Sequence, residues 1–368
     1  MRVKEIQGIV EAWAPPGTAW ERDNVGLQVG DAEREVRGIL VCLDVTPATV
    51  HEARRRRANL IVSHHPLLFR PLRAVTPVSH AGALVIALLK EGISLYSAHT
   101  NLDSAREGTS FALARAMQLR DIDFLLKSDQ IDRKIVTFVP AEHVDKVAGA
   151  MSGAGAGIIG RYGECSFRTE GTGTFRGDAS SRPSVGMKGR LEHVPETRLE
   201  MVAPRWQVGA VVEALKRAHP YEEVAYDILP LENRSNEFGM GIIGTLPRPV
   251  QLRTFLAMVK RSLGAKAVRF VAGKGQTVQR IAACGGSGSD LLAEAVRQGA
   301  DAFVTGDVKY HTFARAQGTI ALVDAGHFET EFPLVPALAT RLKNEIRKRG
   351  ERVRVFATRL SENPVLCA

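Results

Sequence analysis

The chain has 368 residues, 45% hydrophobic and 24% charged, with 49 Lys and Arg against 40 Asp and Glu for a formal charge of +9. That length predicts more than one domain, and the balance of apolar and charged residues excludes disordered and fibrous classes. No apolar run approaches the roughly 18 residues that cross a bilayer, and residues 1–10 lack the apolar stretch of a secretion signal, so a cytoplasmic protein without a membrane partner is expected.

In chain order, residues 36–117 alternate short β-branched runs with helical patterns, the signature of βαβ units and a largely parallel sheet. Strands are predicted over 36–43, 59–63 and 93–98. Thr46 before Pro47 reads as a helix N-cap with Pro at the first helical position, and 81–90 carries helical spacing up to a stop at Gly92. The middle of the chain reads differently. A strand at 134–139, a helix over 141–152, a glycine-rich stretch, a strand at 198–202, a helix to Ala218 and a strand at 223–230 predict a ferredoxin-like α+β insert. Its edges fall in the polar or Gly/Pro-containing stretches 127–133 and 244–249. The division is therefore 1–128 with 246–368 as a discontinuous outer α/β domain and 129–245 as the insert. The alternation returns after residue 278, with strands at 279–284, 301–305, 319–324 and 352–357 and helices from near Ser289, Asp307 and Glu329.

Cys42, Cys165, Cys284 and Cys367 lie far apart with no CxxC spacing, which argues against a disulfide framework or a thiolate zinc site. A metal here would be held by nitrogen and oxygen. The arginine-rich runs at 54–57 and 347–354 read as solvated helix faces, and without a basic tail or a nucleic-acid motif a nucleic-acid partner is the weaker option.

Three predicted strand exits carry metal-ligand types: Ser63-His64-His65-Pro66, Ala98-His99-Thr100-Asn101-Leu102-Asp103, and Asp324-Ala325-Gly326-His327-Phe328-Glu329-Thr330-Glu331. In a parallel α/β sheet the carboxyl ends of the strands share one edge, so segments distant in sequence converge there. Successive side chains diverge, so adjacent His64 and His65 suit two metals better than one. His327 and Glu331 are four apart and share a helix face. His99 reads either as a ligand or as a partner that orients Asp103. His311 reads either as an outer proton donor or as a helix-surface histidine. Imidazole with carboxylate suits Zn, Mn, Fe or Ni in a hydrolytic or Lewis-acid centre. Residues 155–160 match GxGxxG but follow a helix where a strand is needed, so they are rejected as a dinucleotide fingerprint. Gly285-Gly286-Ser287-Gly288-Ser289 reads as a tight strand-to-helix turn, with a phosphate cradle as the minority reading.

These motifs, with Thr305-Gly306-Asp307-Val308-Lys309-Tyr310-His311, Asn24-Val25-Gly26-Leu27-Gln28 and, inside the insert, His219-Pro220-Tyr221-Glu222-Glu223 and Thr169-Glu170-Gly171-Thr172-Gly173, resemble the Nif3-like family. The resemblance covers essentially the whole chain and is close to the longer bacterial members, proteins also known as GTP cyclohydrolase 1 type 2 homologues. It implies two divalent ions per subunit, held at positions matching His64, His65, Asp103, His327 and Glu331, with Glu331 bridging both. It also implies a homohexameric ring of two trimers and an insert resembling the PII and CutA folds. Zinc is the metal first expected, with iron or manganese as alternatives. The expected function is metal-dependent hydrolysis of a small phosphorylated or nucleotide-like substrate, with His99 or His311 moving protons. The alternative is a non-enzymatic metal-binding regulatory scaffold whose insert senses a ligand.

Overall fold

The computed structural model describes residues 1–182, 184–361 and 363–366, so Cys367 lies outside the described residues. The chain divides into two compact units, one formed by Met1–Lys127 together with the chain from Asn236 onward, the other by Ser128–Ser235. The first segment contains α1 (Val3–Trp13), β1 (Gly26–Val29), β2 (Gly38–Cys42), α2 (Pro47–Arg55), β3 (Leu60–Ser63), α3 (His80–Glu91), β4 (Ser94–Ser97), α4 (Thr100–Ser104), α5 (Thr109–Ala116) and β5 (Arg120–Lys127). The insert contains β6 (Asp132–Pro140), α6 (Val144–Gly153), β7 (Phe167–Phe175), β8 (Glu192–Pro204), α7 (Val208–Ala218) and β9 (Tyr226–Pro230). The last segment runs through β10 (Gly239–Gln251), α8 (Leu252–Leu263), β11 (Arg269–Val271), β12 (Thr277–Ala283), α9 (Leu292–Arg297), β13 (Ala302–Thr305), α10 (Tyr310–Ala316), β14 (Ala321–Asp324), α11 (His327–Glu331), α12 (Leu334–Lys348) and β15 (Arg354–Ala357). Among the described residues no helix is long and apolar enough to cross a membrane.

The outer unit is α/β, but it holds two sheets where the sequence predicts one. The first has the order β1-β4-β3-β2-β15, parallel except for β1, which runs antiparallel to β4. The second has the order β11-β14-β13-β12-β10-β5, with a parallel centre of β12, β13 and β14 flanked by antiparallel strands. Every residue of β2, β3 and β4 is buried, because helices cover both faces. Alternation then sorts the side chains: Ile39, Val41, Leu60 and Val62 pack with α1 and α12, while Leu40, Ile61 and Leu95 pack with α2 and α3. Truncating a side chain as completely enclosed as Ile61 to Ala costs about 2–5 kcal/mol. The predicted start of α2 is present, with the Thr46 hydroxyl accepting from the Thr49 N–H at 3.2 Å ahead of Pro47.

One boundary differs from the sequence reading. Residues 239–251, where a polar edge is expected, form β10, which pairs with β5 on one side and β12 on the other. The insert therefore ends at Ser235 rather than near residue 245. Pro247 and Pro249 of β10 are tolerated because the register with β12 shifts between Thr245 and Val250.

The insert is a four-stranded antiparallel sheet of order β7-β8-β6-β9 with chain order βαββαβ, the ferredoxin-like arrangement. Ile135, Val139, Leu199 and Met201 from the sheet pack against Val147 and Met151 of α6 and Val211 and Leu215 of α7. Strand β7 has no counterpart in the sequence reading. Its Thr-Glu-Gly-Thr-Gly run is exposed on an edge, so neither apolar alternation nor β-branched density marks it.

Candidate metal centre

The site lies at the carboxyl ends of parallel strands from both sheets of the outer unit. His64 and His65 follow β3, His99 follows β4 and stands just before α4, which carries Asp103, and Asp44 follows β2. From the other sheet, Asp307 follows β13 and His327 and Glu331 lie on α11 after β14. Five of these elements are thus strand exits, the place where an α/β sheet leaves backbone and side chains unpaired toward a ligand.

Glu331 is the centre of the group. Its carboxylate is 5% exposed, yet Oε2 lies 2.9 Å from His65 Nε2 and 3.1 Å from His327 Nε2, and Oε1 lies 3.8 Å from His64 Nε2. His64 Nε2 faces Asp103 Oδ1 at 3.5 Å, and both atoms are buried without a hydrogen-bond partner. Two such orphaned polar atoms facing each other are costly unless something binds them. Two groups have donor atoms within 4.8 Å of one another, His64 with His65 and His99, and His65 with His327 and Glu331. The His64 and His65 rings do not diverge as residues within a strand would. They stand beyond the last strand residue, Ser63, with centroids 5.1 Å apart.

Each of the four histidines is held at Nδ1. His64 donates to the Ala98 carbonyl at 2.9 Å, His65 to Asp44 at 2.8 Å, His327 to Asp307 at 2.6 Å, and His99 to both oxygens of Asp23 at 3.0 and 3.1 Å. A proton fixed on Nδ1 leaves the Nε2 lone pair as the ligand atom, the outer arrangement that metal-binding imidazoles use. Asp23 is itself fixed by the Thr100 N–H at 3.0 Å and by the Thr100 hydroxyl. Asp307 adopts φ of +54°, a strained conformation for a non-glycine residue, and it aims the carboxylate at His327.

The electrostatics follow from burial opposed by partners. Burial disfavours the charged form of His65, but hydrogen bonds to Asp44 and Glu331 outweigh it and lift its pKa to about 10. The hydrogen bond to Glu331 likewise lifts His327 to about 9 against its burial, with Asp307 assisting. His64 rises too, its burial outweighed by the charges of Asp103 and Glu331. Burial would raise the Glu331 carboxyl, yet the hydrogen bonds from His327 and His65 and the charge of His64 hold it well below the usual carboxylate range. Burial raises Asp103, and the neighbouring charge of Glu331 adds to that.

The sequence reading of His99 as a partner of Asp103 has no hydrogen bond behind it among the described residues; the ring is held by Asp23 instead. His311 stands exposed on α10 with its ring against Tyr310, and no contact described for it reaches the histidine group. Asp23, Asp44 and Asp307 were not singled out from sequence. Asp44 and Asp307 each lie two residues past a strand end, so the rule that marks His64 marks them as well; nothing local marks Asp23.

The Gly285-Gly286-Ser287-Gly288 turn supports the centre rather than cradling an anion. Three of its N–H groups are already spent, on Ser110 Oγ at 3.3 Å, Thr330 Oγ1 at 3.0 Å and Thr305 Oγ1 at 2.9 Å. Gly286 has φ of +61°, and a Cβ there would stand 2.2 Å from Glu331 Oε1.

Residues 1–364 match the family described as Duf34/NIF3 (NGG1p interacting factor 3). The chain belongs to this family. It is 36% identical over 364 residues to a Bacillus subtilis (strain 168) protein named GTP cyclohydrolase 1 type 2 homolog, covering 98% of this chain and 97% of that one. A Mycobacterium leprae (strain TN) protein of the same name is 39% identical over 339 residues, 90% of this chain and 87% of its own. The crystal structure of a Bacillus cereus protein related to NIF3 matches with a TM-score of 0.80 at 36% identity, covering 100% of this chain and 99% of that one. A Staphylococcus aureus crystal structure matches with a TM-score of 0.80 at 30% identity over the same shares. The DUF34/NIF3 fold of this chain is therefore that of its solved relatives.

Proposed function

We propose that this DUF34/NIF3 chain is a metal-dependent hydrolase of a small phosphorylated or nucleotide-like substrate, with two divalent ions held by His64, His65, Asp103, His327 and Glu331. The observation that carries the reading is the buried, unpartnered pair of His64 Nε2 and Asp103 Oδ1 beside a carboxylate shared by three imidazoles. Imidazole and carboxylate without thiolate fit zinc, iron or manganese. When bound, such ions act as Lewis acids and acidify water near neutral pH. Glu331 presents one oxygen toward His65 and His327 and the other toward His64, so a single side chain serves both halves of the group. His99, with its Nδ1 held by Asp23, presents Nε2 for proton transfer beside the rings of His64 and His65. The name shared by the relatives, GTP cyclohydrolase 1 type 2 homolog, favours a nucleotide-like substrate. A homohexamer of two trimers belongs to the same proposal and is read by light scattering.

Metal-loaded protein is screened against nucleotides, phosphoesters and cyclic amides, with elemental analysis in parallel. Two ions per chain and turnover that disappears in Glu331→Gln are expected. One ion or none in a folded, reconstituted sample rejects the two-metal centre, and full activity in Glu331→Gln places the chemistry elsewhere.

A second reading, a regulatory scaffold whose insert senses a ligand, is favoured by a cavity of about 600 Å³ within the insert, lined by Phe138, Phe175, Tyr221, Glu196 and Arg198 among others. Under that reading the metal-ligand variants keep their partners while losing metal.

A further inference from the structure

Two large aromatic side chains stand exposed on the two segments that flank His99: Trp20 is 60% and Phe69 48% exposed. Each is tied to His99 through its own segment. The Trp20 N–H donates to Thr100 Oγ1 at 3.0 Å, and the Asp23 N–H donates back to the Trp20 carbonyl at 2.9 Å. That turn is the one whose Asp23 carboxylate holds His99 Nδ1. Phe69 lies four residues past His65, with its ring edge-on to His99 at 6.2 Å between centroids.

The backbone under Phe69 is clamped. The Leu68 N–H donates to Gln28 Oε1 at 2.9 Å, Asn24 Nδ2 donates to the Leu68 carbonyl at 2.5 Å, and Gln28 Nε2 donates to the Asn24 carbonyl at 2.7 Å. The Asn24-Val25-Gly26-Leu27-Gln28 motif, which has no part in the metal group, thus fixes where Phe69 projects. Bonds that immobilise a loop cost entropy, and here the result is an aromatic ring kept in water beside the site. Arg22 and Arg70, each adjacent to one of these anchored positions, are exposed and make no ion pair among the described residues.

We propose that Trp20 and Phe69 form a stacking subsite for the planar heteroaromatic ring of the substrate, with Arg22 and Arg70 supplying the attraction for its phosphate. The proposal rests on the hydrolase reading above, because it names the part of that substrate held outside the metal group. Rings that stack on aromatic side chains gain enough that losing one platform weakens binding about tenfold or more. Arginine heads bind phosphate without regard to the ring.

The test measures binding of GMP and of ribose 5-phosphate, which lacks the ring, to metal-loaded wild type, Trp20→Ala, Phe69→Ala and the ring-preserving Phe69→Trp by calorimetry. The expected result is GMP binding about tenfold or more weaker in each Ala variant and near wild type in Phe69→Trp, with ribose 5-phosphate binding and metal content unchanged. GMP binding equal to wild type in both Ala variants overturns the subsite, as does an equal loss for both probes, or wild type binding GMP no more tightly than ribose 5-phosphate. The two readings fail separately. Ring-dependent binding of GMP with no metal-dependent turnover of any compound supports the subsite and sinks the hydrolase, whereas metal-dependent turnover of nucleotides at wild-type kcat/KM in both Ala variants does the reverse.

Discussion

Loading the metal-free protein with zinc at pH 7.5 should expel protons, and the structure sets how many. His65, with a pKa of about 10, and His327, at about 9, each carry a proton on both ring nitrogens in the absence of metal. A metal takes the neutral imidazole, so the Nε2 proton must leave while Nδ1 stays bonded to Asp44 or Asp307. At pH 7.5 both rings are more than about nine-tenths protonated on these values, which gives a release of about two protons per chain. His64 shifts in the same direction and adds to that figure. The sign follows: the raised pKa values favour the charged, metal-free form, so protons compete with metal and affinity weakens as pH falls. Apparent affinity should rise by about two log units per pH unit between pH 7 and 9 and flatten above about pH 10. Calorimetric titration of zinc in two buffers of different ionisation enthalpy counts the protons directly. A release well below one per chain, or an affinity flat between pH 7 and 9, would mean that these imidazoles are not the ligands.

Glu331→Gln keeps the shape but removes the charge facing three imidazoles, and zinc affinity by competition with a chelator should fall more than about 100-fold. Asp44→Asn keeps a polar group against His65 but withdraws the carboxylate that orients it, and the same assay should show a loss of about 10–100-fold. His311→Ala should leave metal content at the wild-type level by elemental analysis, since its ring touches Tyr310 rather than the group; a loss matching that of Glu331→Gln would make it a ligand. Replacing residues 128–235 by a short Gly-Ser linker should give a folded protein with full metal content, because Lys127 Nζ donates to Asn236 Oδ1 at 2.9 Å and the two ends already meet. A trimmed chain that folds by circular dichroism yet binds no zinc refutes that division of labour.

Much of this protein is legible locally. The apolar runs that become β2, β3, β13 and β14 stand out because strands covered on both faces are largely apolar, and the Thr46-Pro47 start of α2 stands out because capping involves neighbours only. The same local logic marks His64, His65, His99 and the His327 to Glu331 spacing, since side chains just past a strand end have nowhere to go but the sheet edge. What the sequence does not carry is which edges meet. The first segment joins the second sheet through β5, which pairs with β10 across the whole insert, a contact without any short-range pattern. Strand β7 is hidden because an exposed edge strand needs no apolar alternation. The tertiary fold alone sets Glu331 within 2.9 Å of His65, 266 residues away in the chain, and gives His99 to Asp23 rather than to Asp103. Periodicity encodes which face of an element is buried, whereas the partner of a hydrogen bond depends on how two finished sheets pack, and that is decided by the sum of many weak contacts spread along the chain.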